Sequence, residues 1–172
     1  MADDQERWKK ITQGDAAAYD AFYRETAPRL RLFLRQLVGS NEAAEDVAQE
    51  TYTRIWNRPH GFQPERGSLQ AYLYGVARKR AAEWGRKQTP AAEAAPETTE
   101  PCRTEITFIM GDALQRIPEE QRALLWLREV EGQSYQELAE ILEIPIGTVR
   151  SRLFAAREAL RQVWRQGAGR AV

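Results

Sequence analysis

Between Thr148 and Phe154 the chain reads TVRSRLF, residue types suited to hydrogen bonding with base edges and phosphates rather than to making or breaking bonds. At about 100° per helical residue, Gly147, Thr148, Ser151 and Ala155 share one side, with Arg150, Arg152 and Phe154 on its flanks. Small and hydroxylated side chains in the middle admit a groove floor, and arginines at the margins reach phosphates. The other side carries Ile146, Val149, Leu153, Ala156, Leu160 and Val163 at steps of three and four, one apolar stripe at helical period. An amphipathic helix with merely solvated arginines has the same spacing. The sequence just before it favours a helix-turn-helix. Ser134 and Glu137 form a capping box that starts a short helix with Leu138, Ile141 and Leu142 on one side, and Pro145 stops it near Glu143.

Two further groups have suggestive spacing. In SLQAYLYGVARKRAAEWGRKQ, Arg78, Lys79 and Arg86 lie on one side with Tyr72 and Tyr74 at its borders. Cations beside aromatic rings hold a phosphate backbone and stack on unpaired bases, but core or rim aromatics under a solvated basic face fit these residues equally well. In NEAAEDVAQETYTRIWNR, Asp46, Gln49, Glu50 and Thr53 line one edge, opposite Ala44, Val47, Ala48, Thr51 and Ile55. Periodicity alone favours a solvated edge over an acidic docking surface.

No catalytic constellation appears. A single histidine, His60, and a single cysteine, Cys102, supply neither a zinc set nor a nucleophile with its base, and no glycine-rich phosphate loop is present. An enzyme, a metal site and a cofactor are therefore not expected. No run approaches the roughly 18 apolar residues of a membrane span and MADDQERWKK has no apolar signal segment, so a cytoplasmic protein is expected.

The elements that position these groups are helical throughout, with no strand-period alternation and no internal repeat. After a polar lead, Asp15 opens a helical pattern carrying Tyr19, Phe22, Tyr23, Leu30, Phe33, Leu34 and Leu37, which Pro28 is expected to kink or divide and Gly39 to end. Ser40 or Asn41 caps the next helix, and Ser68 starts a third. Residues 88–104, QTPAAEAAPETTEPCRT, hold three prolines, three glutamates and no large apolar residue, the composition of a flexible linker. Helical pattern resumes at Glu105, with Pro118 starting a segment whose core side is Leu124, Leu125, Leu127 and Val130 and which Gly132 stops. The expected fold is all-α, two small helical domains at residues 1–87 and 105–172 around that linker, the second containing the helix-turn-helix.

Lys+Arg and Asp+Glu are equal at 25 each, yet they are segregated. Basic residues cluster at Arg78 to Lys87 and Arg150 to Arg165, acidic ones at Glu42 to Glu50 and Glu93 to Glu105. Such a surface can bind DNA and a basic protein partner together.

Two motifs in this order, separated by a proline-rich linker, resemble the extracytoplasmic function (ECF) sigma factors of bacterial RNA polymerase. GQSYQELAEILEIPIGTVRSRLFAARE, with the preceding IPEEQRALLWLRE, is similar to the family's region 4, and AAEDVAQETYTRIW to the polymerase-binding helix of region 2. The resemblance implies that Asp46, Gln49 and Glu50 dock on core RNA polymerase, against the preference drawn from periodicity. It implies that the loop from Phe62 to Ser68 and the face of Tyr72, Tyr74, Arg78, Lys79 and Arg86 recognise and open the minus-10 element. Arg128, Thr148, Arg150, Ser151, Arg152 and Phe154 are implied to contact the minus-35 element. Family members commonly carry tryptophan at the position of Tyr72 and asparagine at that of Lys79, and many a polar residue at Ala155. The resemblance further implies an anti-sigma factor as a partner beside core polymerase and promoter DNA, and a path for Glu93, Glu97 and Glu100 along the polymerase's RNA exit channel. A self-sufficient helix-turn-helix regulator and a helical interaction protein without DNA function are the rival readings.

Overall fold

The computed structural model describes residues 2–57, 61–87, 114 and 116–168. Among these residues there is no strand, and the α-helices are α1 (Ala2–Thr12), α2 (Ala16–Val38), α3 (Asn41–Asn57), α4 (Leu69–Lys87), α5 (Glu119–Leu125), α6 (Tyr135–Leu142) and α7 (Ile146–Ala168). The linker at 88–104, with its glutamates and Cys102, lies outside the described residues, as does His60.

Helices α1–α4 form the first domain. Asp15 caps α2, its carboxylate accepting from the amides of Ala17 and Ala18 at 2.9 and 3.0 Å. Gly39 ends α2 in the left-handed region at φ 77°, where a side chain would be strained. Ser40 caps α3 by accepting from the Ala43 amide. Burial of Phe22, Leu30, Phe33 and Leu34 against Val47, Tyr52, Ile55, Leu73 and Ala77 joins α2, α3 and α4 around one core.

Two expectations for this domain are corrected. Pro28 does not divide α2, which runs unbroken past it. The bond its ring removes would have gone to the carbonyl of Arg24, an exposed residue whose oxygen can turn to water. The polar lead is itself helical. α1 buries Trp8 and Ile11, sets Trp8 edge-on against Phe62 and Tyr72 with ring centroids 5.5 and 5.6 Å apart, and sends Asp4 to the Leu69 amide at the start of α4.

Helices α5–α7 form the second domain. Pro118 precedes α5, which passes into a π-helical turn at Trp126–Val130 before Gly132 at φ 71°. Val130 is 45% exposed instead of lying in the core; Ala123 and Trp126 are buried there beside Leu124, Leu125 and Leu127. The extra residue of a π turn rotates the side chains beyond it about the helix axis, consistent with Val130 facing outward. The capping box at α6 forms in full: Ser134 Oγ accepts from the Glu137 amide at 3.1 Å and the Glu137 carboxylate from the Ser134 amide at 2.9 Å. Glu143 ends α6 in the left-handed conformation, φ 55°, and α7 begins after Pro145. Leu138, Val149, Leu153 and Ala156 are wholly buried, whereas Ile146, first in α7, is 38% exposed because no turn of helix precedes it to cover it.

The two domains touch along α4 and α6, and α5 meets α2 where Arg122 donates to the Gln36 carbonyl at 2.9 Å.

Candidate functional site

Three surfaces carry the residues singled out by the sequence. On α7, packing of Val149, Leu153 and Ala156 against α5 and α6 turns Arg150, Ser151, Arg152 and Phe154 outward, and Phe154 is 67% exposed. Thr148 is half-buried, its carbonyl accepting from Ser151 Oγ at 3.0 Å. Arg152 lies 3.7 Å from the Glu120 carboxylate. Arg128 is held at the rim: it donates to the Gln133 carbonyl at 2.7 Å and its guanidinium stands 4.9 Å from the Tyr135 ring centre. The outcome is a cationic, hydroxyl-bearing ridge with an aromatic ring on it, the shape and chemistry that enter a DNA groove.

On α3, burial of Ala43, Ala44, Val47, Ala48, Thr51, Tyr52 and Ile55 leaves Asp46, Gln49, Glu50 and Thr53 exposed together. Thr51, polar yet fully buried, donates to the Val47 carbonyl at 2.7 Å. Asp46 and Glu50 form no ion pair among the described residues, whereas nearby Glu45 is paired with Arg31. The edge is an exposed acidic strip along one side of α3.

The α4 group divides. Tyr74 is 1% exposed, its ring packed edge-on against Phe33 at 5.0 Å. Burial, reinforced by the Glu131 carboxylate its hydroxyl meets, drives its pKa far up. It is a core residue and not part of the basic face, a correction to the expected group. Tyr72 is half-buried in the aromatic trio with Trp8 and Phe62, and burial raises its pKa. Its hydroxyl stands so close to Gly61 that a Cβ there would come within 2.3 Å of it, so the ring's place depends on that glycine. Arg86 is exposed near the end of α4.

Arg78 and Lys79 are both engaged by α6, Arg78 half-buried and Lys79 exposed. Arg78 donates to the Ile141 carbonyl at 3.0 Å and reaches that of Leu142 at 3.5 Å, the free carbonyl end of α6. Lys79 pairs with Glu143 at 2.6 Å, and Arg66 donates to Glu140 at 2.7 Å. At the start of α4, Glu137 Oε1 accepts from Ser68 Oγ at 2.6 Å and from the Ser68 amide at 3.3 Å. Burial works against the Glu137 charge, but hydrogen bonds from Ser68 and Ser134 outweigh it and hold the carboxyl below its usual range. Lys79 does the same for Glu143, chiefly by donating a hydrogen bond. A cleft of about 190 Å³ remains between α4 and α6, lined by Phe62, Arg66, Tyr72, Lys79, Glu140 and Glu143 among others.

Glu131 was not anticipated from the sequence. Its side chain is fully buried at the domain joint, accepting from the Trp126 indole at 3.1 Å and from Gln70 at 3.2 Å, with Arg29 at 3.8 Å. No local pattern marks it, since its partners come from α2, α4 and α5's own π turn. Among the described residues no cluster of metal-ligating side chains occurs, and no helix is long and apolar enough to cross a membrane.

The geometry thus joins a cationic ridge of the kind that enters a DNA groove to a separate, exposed acidic strip, and comparison with known proteins shows the family. The sigma-70 region 2 family matches residues 22–90 and the sigma-70 region 4 family residues 108–160. The chain is 30% identical over 160 residues to the ECF RNA polymerase sigma factor RpoE of Cereibacter sphaeroides, covering 86% of this chain and 87% of that protein. It is 29% identical to the RNA polymerase sigma-H factor of Pseudomonas aeruginosa, with 91% of each covered. Among solved structures, the sigma factor RpoE of Bartonella quintana in complex with the anti-sigma factor NepR superposes with a TM-score of 0.70 at 25% identity, covering 84% of this chain and 97% of that one. CnrH in complex with the cytosolic domain of CnrY shares the fold, with a TM-score of 0.73 at 18% identity over 95% of this chain and 97% of that one. The chain belongs to the ECF sigma factors of RNA polymerase, and directs promoter-specific transcription rather than catalysing a reaction.

Proposed function

We propose that the chain binds core RNA polymerase through Asp46, Gln49 and Glu50, reads a minus-35 element with α7, and captures melted minus-10 bases with α4 and the loop before it. The observation that carries this reading is the unpaired acidic strip on α3, which a DNA-binding protein acting alone has no use for. Arg150, Ser151, Arg152 and Phe154 supply base-edge and phosphate contacts upstream, with Thr148 and Arg128 at the margin. Downstream, Tyr72, Arg78, Lys79 and Arg86 hold the backbone and a displaced base. Strand opening is favoured because these contacts exist only with unpaired DNA, so binding shifts the duplex toward its melted form. Residues 1–87 and 105–172 serve as the two reading domains, with 88–104 as the connection.

An anti-sigma protein is the expected restraining partner, by analogy with the Bartonella relative solved with NepR. A protein that acts on bacterial promoters acts in the cytoplasm.

Run-off transcription with bacterial core polymerase on fragments of the source genome, comparing the wild type with Asp46→Ala/Glu50→Ala, tests the reading. The wild type starts transcripts at discrete sites and the variant loses at least about tenfold in yield, the scale of 1.4 kcal/mol of docking energy. Equal yields from both would remove α3 from the docking role, and a protein that binds duplex DNA but never initiates would be a conventional regulator.

A further inference from the structure

Several polar groups of α4 and its preceding loop assigned to promoter DNA are engaged by the chain's own carboxylates, and their placement follows the chemistry of a phosphate backbone. Glu137, Glu140 and Glu143 recur every three residues along α6 and its cap. The first sits on the hydroxyl and amide of Ser68 at the N-terminus of α4, the second on Arg66, and the third on Lys79. Arg78 is filled by the carbonyl end of α6, the negative pole of that helix. Serine hydroxyls, helix N-terminal amides, arginine and lysine are the groups by which proteins hold phosphates. Each has an anionic or carbonyl oxygen from α6 in the place of one.

We propose that α6 is an intramolecular substitute for DNA: its acidic edge occupies the phosphate-holding groups of α4, so the free protein is closed against the minus-10 strand until the domains part. This rests on the reading of α4 given above. Ser68, Arg66, Arg78 and Lys79 cannot hold α6 and a phosphodiester together, so closure and strand capture are mutually exclusive. Any partner that draws α6 and α7 away from α4 gains the difference between the two states, and any partner that bridges them keeps the factor silent. The same helix hairpin that presents α7 to duplex DNA thus carries, on its other helix, the restraint on single-strand capture.

A disulfide across the joint tests this in the full chain. A Cβ built on Gly75 lies 3.9 Å from the Ile141 Cα, within the approach a disulfide requires. Gly75→Cys/Ile141→Cys is made with Cys102→Ser and assayed by run-off transcription with core polymerase, oxidised and after reduction. Oxidation lowers transcript yield at least about tenfold, equivalent to about 1.4 kcal/mol, and reduction restores it. Equal yields in the two states would overturn the proposal while leaving the sigma reading intact. If the wild type itself fails to initiate, it is that reading which falls, and the clasp falls with it.

Because Ile141 is a core residue, Glu140→Lys/Glu143→Lys provides a second route that leaves the apolar packing alone. It sets lysines against Arg66 and Lys79. The variant reaches half-maximal transcription at a several-fold lower concentration than the wild type, and its radius of gyration in solution scattering rises above the about 16 Å of a compact 172-residue chain. Unchanged values for both quantities would show that the acidic edge does not hold the joint.

Discussion

The helices α7 and α4 carry nearly the same chemistry, arginines and aromatic rings over an apolar stripe, yet one face is open and the other is partly covered. Phe154 on α7 is 67% exposed, while Arg78 and Lys79 on α4 are engaged by α6. Composition cannot separate the two cases, because a basic helix face is equally suited to DNA, to water or to an acidic neighbour in its own chain. The difference lies in what each helix is packed by. α7 is held from behind, through Val149, Leu153 and Ala156, by helices of its own domain. α4 is held from behind by α2 and α3 and met from the front by the other domain.

The contrast is broken most strongly from within the core of the second domain. Leu153→Ala removes a fully buried side chain and is expected to cost about 2–5 kcal/mol in a urea melt, with loss of the α7 ridge before any loss of the α3 strip. Arg150→Ala leaves the urea midpoint essentially unchanged, since the side chain is exposed. It is expected to weaken minus-35-dependent initiation by about 1–3 kcal/mol, measured as transcript yield on promoters with and without that element altered. A smaller effect comes from pH and belongs to the covered face alone. Glu137 and Glu143 have carboxyl pKa values below the ordinary one. Their contribution is therefore full above the unfolded-state value and is lost as pH falls through their depressed values. Titrating from neutral into the acid range should loosen the α4–α6 contact, read as a rising radius of gyration, with Glu140→Lys/Glu143→Lys showing a weaker dependence because one of the two groups is gone.

Local signals were legible and tertiary ones were not. The capping box at Ser134 and Glu137, the stop at Glu143 and the caps at Asp15 and Ser40 depend on neighbours within four residues, and each element begins or ends where those residues place it. α1 escaped notice because only Trp8 and Ile11 of its residues enter the core, and two apolar positions among charges carry too little periodicity to register. Tyr74 and Tyr72 are two apart on one helix, yet one is core and the other rim, because Phe33 from α2 closes over Tyr74 whereas Tyr72 packs at the edge against Trp8 and Phe62. The α3 strip is visible as an exposed edge from its spacing, while its task is an inference from family resemblance. Nothing in the order of residues announces that Glu137 caps two helices, its own and α4.

The burial of Glu131 bears on how easily the joint comes apart. A seam closed by leucines would leave an oily scar on both halves when opened, prone to sticking to whatever lies nearby. Here a carboxylate with its indole, amide and guanidinium neighbours is set into the joint beside its apolar contacts, and each of these groups is well solvated once water enters. Separation then recovers hydration that closure had removed from these groups, which lowers the cost of opening, as in a catch and not a weld.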